Sequence, residues 1–137
     1  MDTERFITLA AACERSGDHR GAAAAYKQAG ELAEQHGNTH LAAACAQAEA
    51  VAWWNAADAG RSGPALIREL SFRRQLDDPR RIAEVLVGLA FHPLINDRGE
   101  FLREAEAVVD ANGYADLRSR LDSTINVFRS AGLDPYR

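Results

Sequence analysis

At 137 residues the chain has the length of about one domain, and 47% hydrophobic against 26% charged residues is ordinary for a soluble globular protein. No window approaches the ~18 consecutive apolar residues of a membrane span. Met1-Asp-Thr-Glu-Arg5 lacks the basic start and apolar run of a secretory signal, so the expected compartment is the cytoplasm.

Charge is spread unevenly within the net −4. Residues 1–60 carry four basic and eight acidic groups, and residues 83–137 carry six and nine. Residues 61–82 carry six arginines against Glu69, Asp77 and Asp78. A single lysine, Lys27, against fifteen arginines reads as the imprint of a GC-rich genome more than of any arginine chemistry.

Helix signals run through the whole chain. Phe6, Leu9, Ala10 and Cys13 form a stripe at three-and-four spacing over about 3–16. Gly17-Asp18 ends that helix and caps a second, which runs to about His36 with Ala22, Ala25, Tyr26, Ala29, Leu32 and Ala33 inward. Gly37-Asn38 is a stop and turn. The third helix, about 39–59, carries Glu49 as its only formal charge between Gln35 and Ala57. A helix apolar nearly all round is covered on more than one side, so this one is expected at the centre.

Gly60-Arg-Ser-Gly-Pro64 reads as the clearest internal break, with Ser62 capping a fourth helix of about 63–76 that turns Leu66, Leu70 and Phe72 inward. Asp78-Pro79 pairs a cap with a proline at the first helical position and opens a fifth helix bearing Ile82, Val85, Leu86, Leu89 and Ala90. Pro93 stops it, and residues 92–96 form a loop. Asp97-Arg-Gly-Glu100 has the form of a capping box before a sixth helix of about 98–111. Asn112-Gly113 closes that helix, and a seventh of about 114–130 buries Tyr114, Leu117, Leu121, Ile125 and Phe128 behind a charged back, as a terminal cap on a helical stack requires.

One string occurs twice. Leu9-Ala-Ala-Ala-Cys13 recurs as Leu41-Ala-Ala-Ala-Cys45, thirty-two residues on, and self-similarity at that period marks stacked helical units. The two strings are therefore expected side by side on parallel helices. Equivalent points on packed helices lie ~8–10 Å apart, whereas a disulfide needs Cα atoms within ~7 Å. Cys13 and Cys45 are expected as free, buried thiols.

The first two helices resemble a tetratricopeptide repeat, whose pattern sets an aromatic, then Leu-Gly, then Tyr, then Ala-x3-Phe. Phe6 stands for the aromatic, Leu9-Ala10 for the Leu-Gly pair, Cys13 for the Tyr, and Ala22-x3-Tyr26 for the second-helix pair, followed by Ala29. Identities depart at Ala10 and Cys13, and Glu34 stands about where the closing proline belongs. A second unit opens with Leu41-Ala42 and Cys45, and Val87-Gly88 with Phe91 suggests a third. The link Leu76-Asp-Asp-Pro-Arg80 looks like junctions in bacterial tetratricopeptide arrays beside regulatory domains. The resemblance implies an all-α right-handed helical-hairpin stack of about seven helices, an α-solenoid with hairpins at about 3–36, 39–76 and 79–111 and a capping helix at 114–130. It also implies a non-catalytic protein- or peptide-binding scaffold of regulatory or accessory role.

Candidate sites follow from that frame. First helices of each pair would line a concave face through Ile7, Ala11, Ala43, Val85 and Leu89, with Thr39, His40, Gln47 and Glu49 as polar points. Glu49 is read as pointing into this open groove rather than as a buried acid. Trp53 and Trp54 diverge by about 100° on a helix, so one packs inward and the other, taken as Trp54, is exposed as an interface anchor. The bound partner is a protein or peptide, a second copy of the chain being one arrangement.

Arg68, Arg73, Arg74, Arg80 and Arg81, with Arg61, could form a ridge for an acidic protein segment. An accessory domain using that Arg61–Arg81 ridge on nucleic acid is the alternative, against which stand the neighbouring acids, the lack of interleaved aromatics and the acidic chain. A small helical enzyme using Glu49 with His40 is the third reading. His36 and His40 have metal-like spacing, but Gly37-Asn38 breaks the helix between them and no further ligand is near in sequence. His19 and His92 each stand alone near a turn. No phosphate loop, nucleophile triad or metal motif is present, so no catalytic residue, cofactor or metal is expected.

Overall fold

A computed structural model describes residues 2–137. Among these the chain is all-α: α1 (Thr3–Arg15), α2 (His19–Gln35), α3 (Thr39–Asn55), α4 (Ala59–Gln75), α5 (Pro79–Ala90), α6 (Arg98–Asn112) and α7 (Ala115–Ser130). The helices divide into two compact units, residues 1–76 and 77–137, and within each unit consecutive helices pack against one another. None of the described helices is long and apolar enough to cross a membrane.

The organising device is a turn repeated every twenty residues. Asp18, Asn38, Asp58 and Asp78 each cap the following helix, their side chains accepting from the backbone N–H three residues on at 2.9, 3.1, 3.2 and 3.2 Å. Before each cap comes a left-handed residue: Gly17, Gly37, Ala57 and Asp77. The N–H groups of Asp18, Asn38 and Asp58 reach back to the carbonyls of Cys13, Ala33 and Trp53 at 2.8, 2.8 and 2.9 Å. Those of Gly17, Gly37 and Ala57 bond to Glu14, Glu34 and Trp54 at 3.0 Å each. This doubly bonded ending is the Schellman motif, and its last residue is already the cap of the next helix.

The true register therefore differs from the duplicated string. One helix and its turn take twenty residues, so a two-helix unit takes forty, longer than the ~34 of a tetratricopeptide repeat. Cys13 corresponds to Ala33 and Trp53 at the helix ends, not to Cys45. In the first unit α1 packs on α2, α2 on α3 and α3 on α4, and among the described residues α1 makes no close backbone approach to α3. The two Leu-Ala-Ala-Ala-Cys strings are not side by side. Leu9 is exposed rather than inward, while Ala10 is fully buried.

Alanine makes these contacts close. Ala22, Ala23, Ala25, Ala29 and Ala33 are buried on α2, and Ala42, Ala43, Ala46, Ala50 and Ala52 on α3. Each buries little area, but small side chains strengthen the helix and let two axes approach. A Cβ at Gly30 would stand 3.2 Å from that of Cys45, which measures how near α2 lies to α3.

The expected break at 60–64 is not there. α3 ends at Asn55, Asp58 rather than Ser62 caps α4, and Gly60 to Pro64 lie in its first turns. Pro64 removes only one amide bond so near the N-terminus, and the buried Ser62 donates its hydroxyl to the Ala59 carbonyl at 3.2 Å. Asp97 likewise makes no side-chain cap, so the capping box at 97–100 is unformed.

In the second unit α5 packs on α6, and α7 completes it through Leu117, Leu121 and Ile125. Its buried centre includes Leu86, Leu89, Leu102 and Val109. Arg80 pairs with Glu84 and with Asp116, whose carboxyl the guanidinium pulls down to about 2. The tail crosses Gly99, where a Cβ would collide with the Tyr136 carbonyl, and the Tyr136 hydroxyl donates to Glu106 at 2.6 Å.

Candidate functional site

The site begins with one acid on an otherwise uncharged helix. Glu49 is 2% exposed on α3. Arg68, nineteen residues on in α4, donates to both its oxygens at 3.0 and 2.9 Å, and Trp53, one turn along α3, donates its indole N–H at 2.9 Å. Glu49 is thus not a polar point in an open groove but a buried carboxylate held by a guanidinium fork and an indole. A buried charge is stable only when paired and hydrogen-bonded in this way.

Around this centre lies a groove with α3 as its floor and α2 and α4 as its walls. One stretch of about 390 Å³ is lined by Tyr26, Lys27 and Glu31 of α2, Ala42, Ala46 and Glu49 of α3, and Arg68 and Phe72 of α4. A recess of about 200 Å³ adjoins it between Lys27, Glu49, Trp53, Arg61, Pro64 and Arg68. A broader depression of about 780 Å³ continues over Phe6, Gln28, Leu32, Trp53 and Arg61. Lys27 lines all three.

Trp53 lines both the recess and the broader depression. The guanidinium carbons of Arg20 and Arg61 stand 5.9 and 5.0 Å from its ring centre, within cation–π range. Both arginines pair with Asp58, at 3.3 and 3.0 Å, so the α4 cap also anchors the first turn of α2. Trp53 is half-buried, and Trp54 is the exposed member of the pair.

The sequence-derived candidates scatter. Ile7 is half-buried on α1, Gln47 and Trp54 are exposed on α3, and Ala43 is fully buried between helices. Val85 and Leu89 are core residues of the second unit and line no surface. Of the arginines at 61–81, Arg68 holds Glu49, Arg73 is buried against Glu69 at 3.2 Å, and Arg80 and Arg81 hold Glu84. Arg74 is exposed. Arg61 to Arg74 belong to the first unit, and Arg80 and Arg81 to the second.

Glu49 and His40 are nine positions apart on α3, about 13 Å along its axis at 1.5 Å per residue, so the two cannot act as one acid–base pair. His92 is buried, and burial pushes its imidazole below the ordinary range, while its Nδ1 accepts from the Leu94 amide at 3.2 Å. Cys45 is buried with its thiol pushed up by desolvation, whereas Cys13 is only half-buried. No group of three or more His, Cys, Asp or Glu among the described residues could hold a metal ion.

Tyr26 and Phe72, expected inward from their spacing, line the groove together with Lys27 and Glu31. Lys27 is the single lysine of the chain and is exposed on α2, a position that composition alone does not mark as part of a groove. No protein-family model matches the chain, and no curated protein matches it.

Proposed function

We propose that this chain is a non-catalytic protein- or peptide-binding module, a scaffold or accessory component, and that it works through the groove of its first unit. The observation that carries the reading is the open channel along α3, walled by α2 and α4, with a Trp53–Glu49–Arg68 cluster that is hydrogen-bonded within itself. Its walls mix aromatic edges with charged tips, the composition that suits a segment of another chain better than a small apolar molecule. A floor already locked in place lowers the ordering cost of binding. The resemblance to tetratricopeptide hairpins supports the same reading through its architecture, not through its period.

The test compares two baits in affinity capture from lysate of the native host. Replacing Lys27, Gln28 and Glu31 together by alanine alters exposed groove positions on a helix that alanine favours. Replacing Gln47 and Val51 alters exposed positions of α3 outside the groove. The expected result is loss of specific partners with the first bait and retention with the second. Identical capture by both removes the groove from the function.

A further inference from the structure

We infer that the recess over Trp53 is a subsite for a carboxylate of an acidic peptide segment. The inference rests on the groove being the binding surface and adds the chemistry of what enters it.

Three cations line the recess, Lys27 on the α2 wall and Arg61 and Arg68 on α4, and Arg20 joins Arg61 over the Trp53 ring. Two acids oppose them, Asp58 and Glu49. The cations and acids differ in depth. The side chains of Arg20 and Arg61 are 60% exposed against 18% for Asp58, and that of Arg68 is 41% exposed against 2% for Glu49. Arg68 is neutralised by Glu49 through both terminal nitrogens. Asp58 is shared between Arg20 and Arg61, so two cations for one acid stand over the ring, with Lys27 beside them as a further positive charge. The recess also borders the first turns of the 17-residue α4, whose N-terminal dipole adds positive potential. A chain of net charge −4 therefore carries a locally cationic pocket with an aromatic floor.

The extent of that potential selects the ligand. Glu31 and Glu34 line the adjoining stretch of groove, so positive potential is confined to the recess. A nucleic acid presents regularly repeated phosphates and would run from the recess onto those glutamates. A peptide can place one or two Asp or Glu side chains in the recess and neutral or basic residues beyond. The pocket therefore fits a protein segment with a short acidic stretch.

The test is selection from a phage-displayed random dodecapeptide library on the immobilised full chain, followed by titration of enriched peptides against the wild type, Lys27→Glu and Arg61→Gln. A fluorescein-labelled 12-nucleotide single strand is titrated in parallel, and circular dichroism confirms that both variants fold. The expected result is enrichment of Asp- or Glu-containing peptides whose binding weakens at least tenfold in Lys27→Glu and severalfold in Arg61→Gln, falling with salt. Enriched peptides without acidic residues whose binding is lost in the Lys27, Gln28 and Glu31 alanine variant leave the groove standing and overturn the carboxylate subsite. Tighter binding of the oligonucleotide than of any acidic peptide overturns the choice of ligand. Absence of any enrichment overturns both readings.

Discussion

At the scale of single residues, the Glu49–Arg68 pair is asymmetric, and its energetics should show it. Glu49 is buried, while Arg68 keeps two-fifths of its side chain in water. Arg68→Ala leaves a carboxylate in the interior with one indole N–H for company, and stranding a buried charge costs about 3–5 kcal/mol. Glu49→Gln leaves an amide oxygen that can still accept from Trp53, and an arginine that can turn to solvent, for a loss of about 1–2 kcal/mol. Adding Glu49→Ala to Arg68→Ala should recover part of the first loss by removing the stranded charge. Urea unfolding of the three variants checks this order. Equal losses from Arg68→Ala and Glu49→Gln would mean that Glu49 is solvated. Glu49 stood out in the sequence because it was alone. Its environment was not legible there, since the partner that decides its state lies on another helix.

At the scale of the element, the interhelix turn carries the pattern of the first unit, and Ala57 is its strained copy. It occupies the left-handed region at φ 59° where the first two turns use glycine. An L-residue there costs about 1–2 kcal/mol, so Ala57→Gly should raise stability by about 1 kcal/mol after glycine's greater freedom in the unfolded chain is deducted. Gly37→Ala should lower it by a similar amount. Chemical denaturation measures both, and a loss of stability in Ala57→Gly would show that the turn is not limited by backbone strain. Gly17-Asp18 and Gly37-Asn38 were readable as turns because they carry the residue types that such turns prefer. Ala57-Asp58 was not, because alanine gives no turn signal and the glycines and proline that follow it do. Those residues lie in the first two turns of α4, where Asp58 already caps the helix and Pro64, its sixth residue, removes a single amide bond. The same reason moved the expected cap from Asp58 to Ser62.

At the scale of the whole molecule, the chain holds two bodies of different construction. The first joins four helices through alanine contacts and the Asp58 and Glu49 clusters, and the second buries leucine and valine between α5, α6 and α7. All the groove residues lie in the first. A fragment of residues 1–76 should therefore keep its helical circular dichroism and unfold cooperatively in urea. The remaining fragment, at about 60 residues, is near the size where a core is marginal and should be the less stable of the two. A non-cooperative 1–76 fragment would show that the alanine-rich unit cannot stand on its own contacts.

The sequence by itself determined the number of helices, nearly all their ends and the helical-hairpin architecture. Apolar spacing, caps and turn residues act over four or five positions, so each is complete within a short window. The tertiary structure alone decided the register and the site. It set a twenty-residue repeat of turns above a more conspicuous duplicated string, because bonds from Asp18, Asn38 and Asp58 back into the preceding helix define equivalence, and letters do not. It turned Val85 and Leu89 into core, because an apolar residue reads the same whether a neighbour covers it or not. It also buried Glu49 beneath Arg68, since where a charge sits in depth depends on which helices close over it.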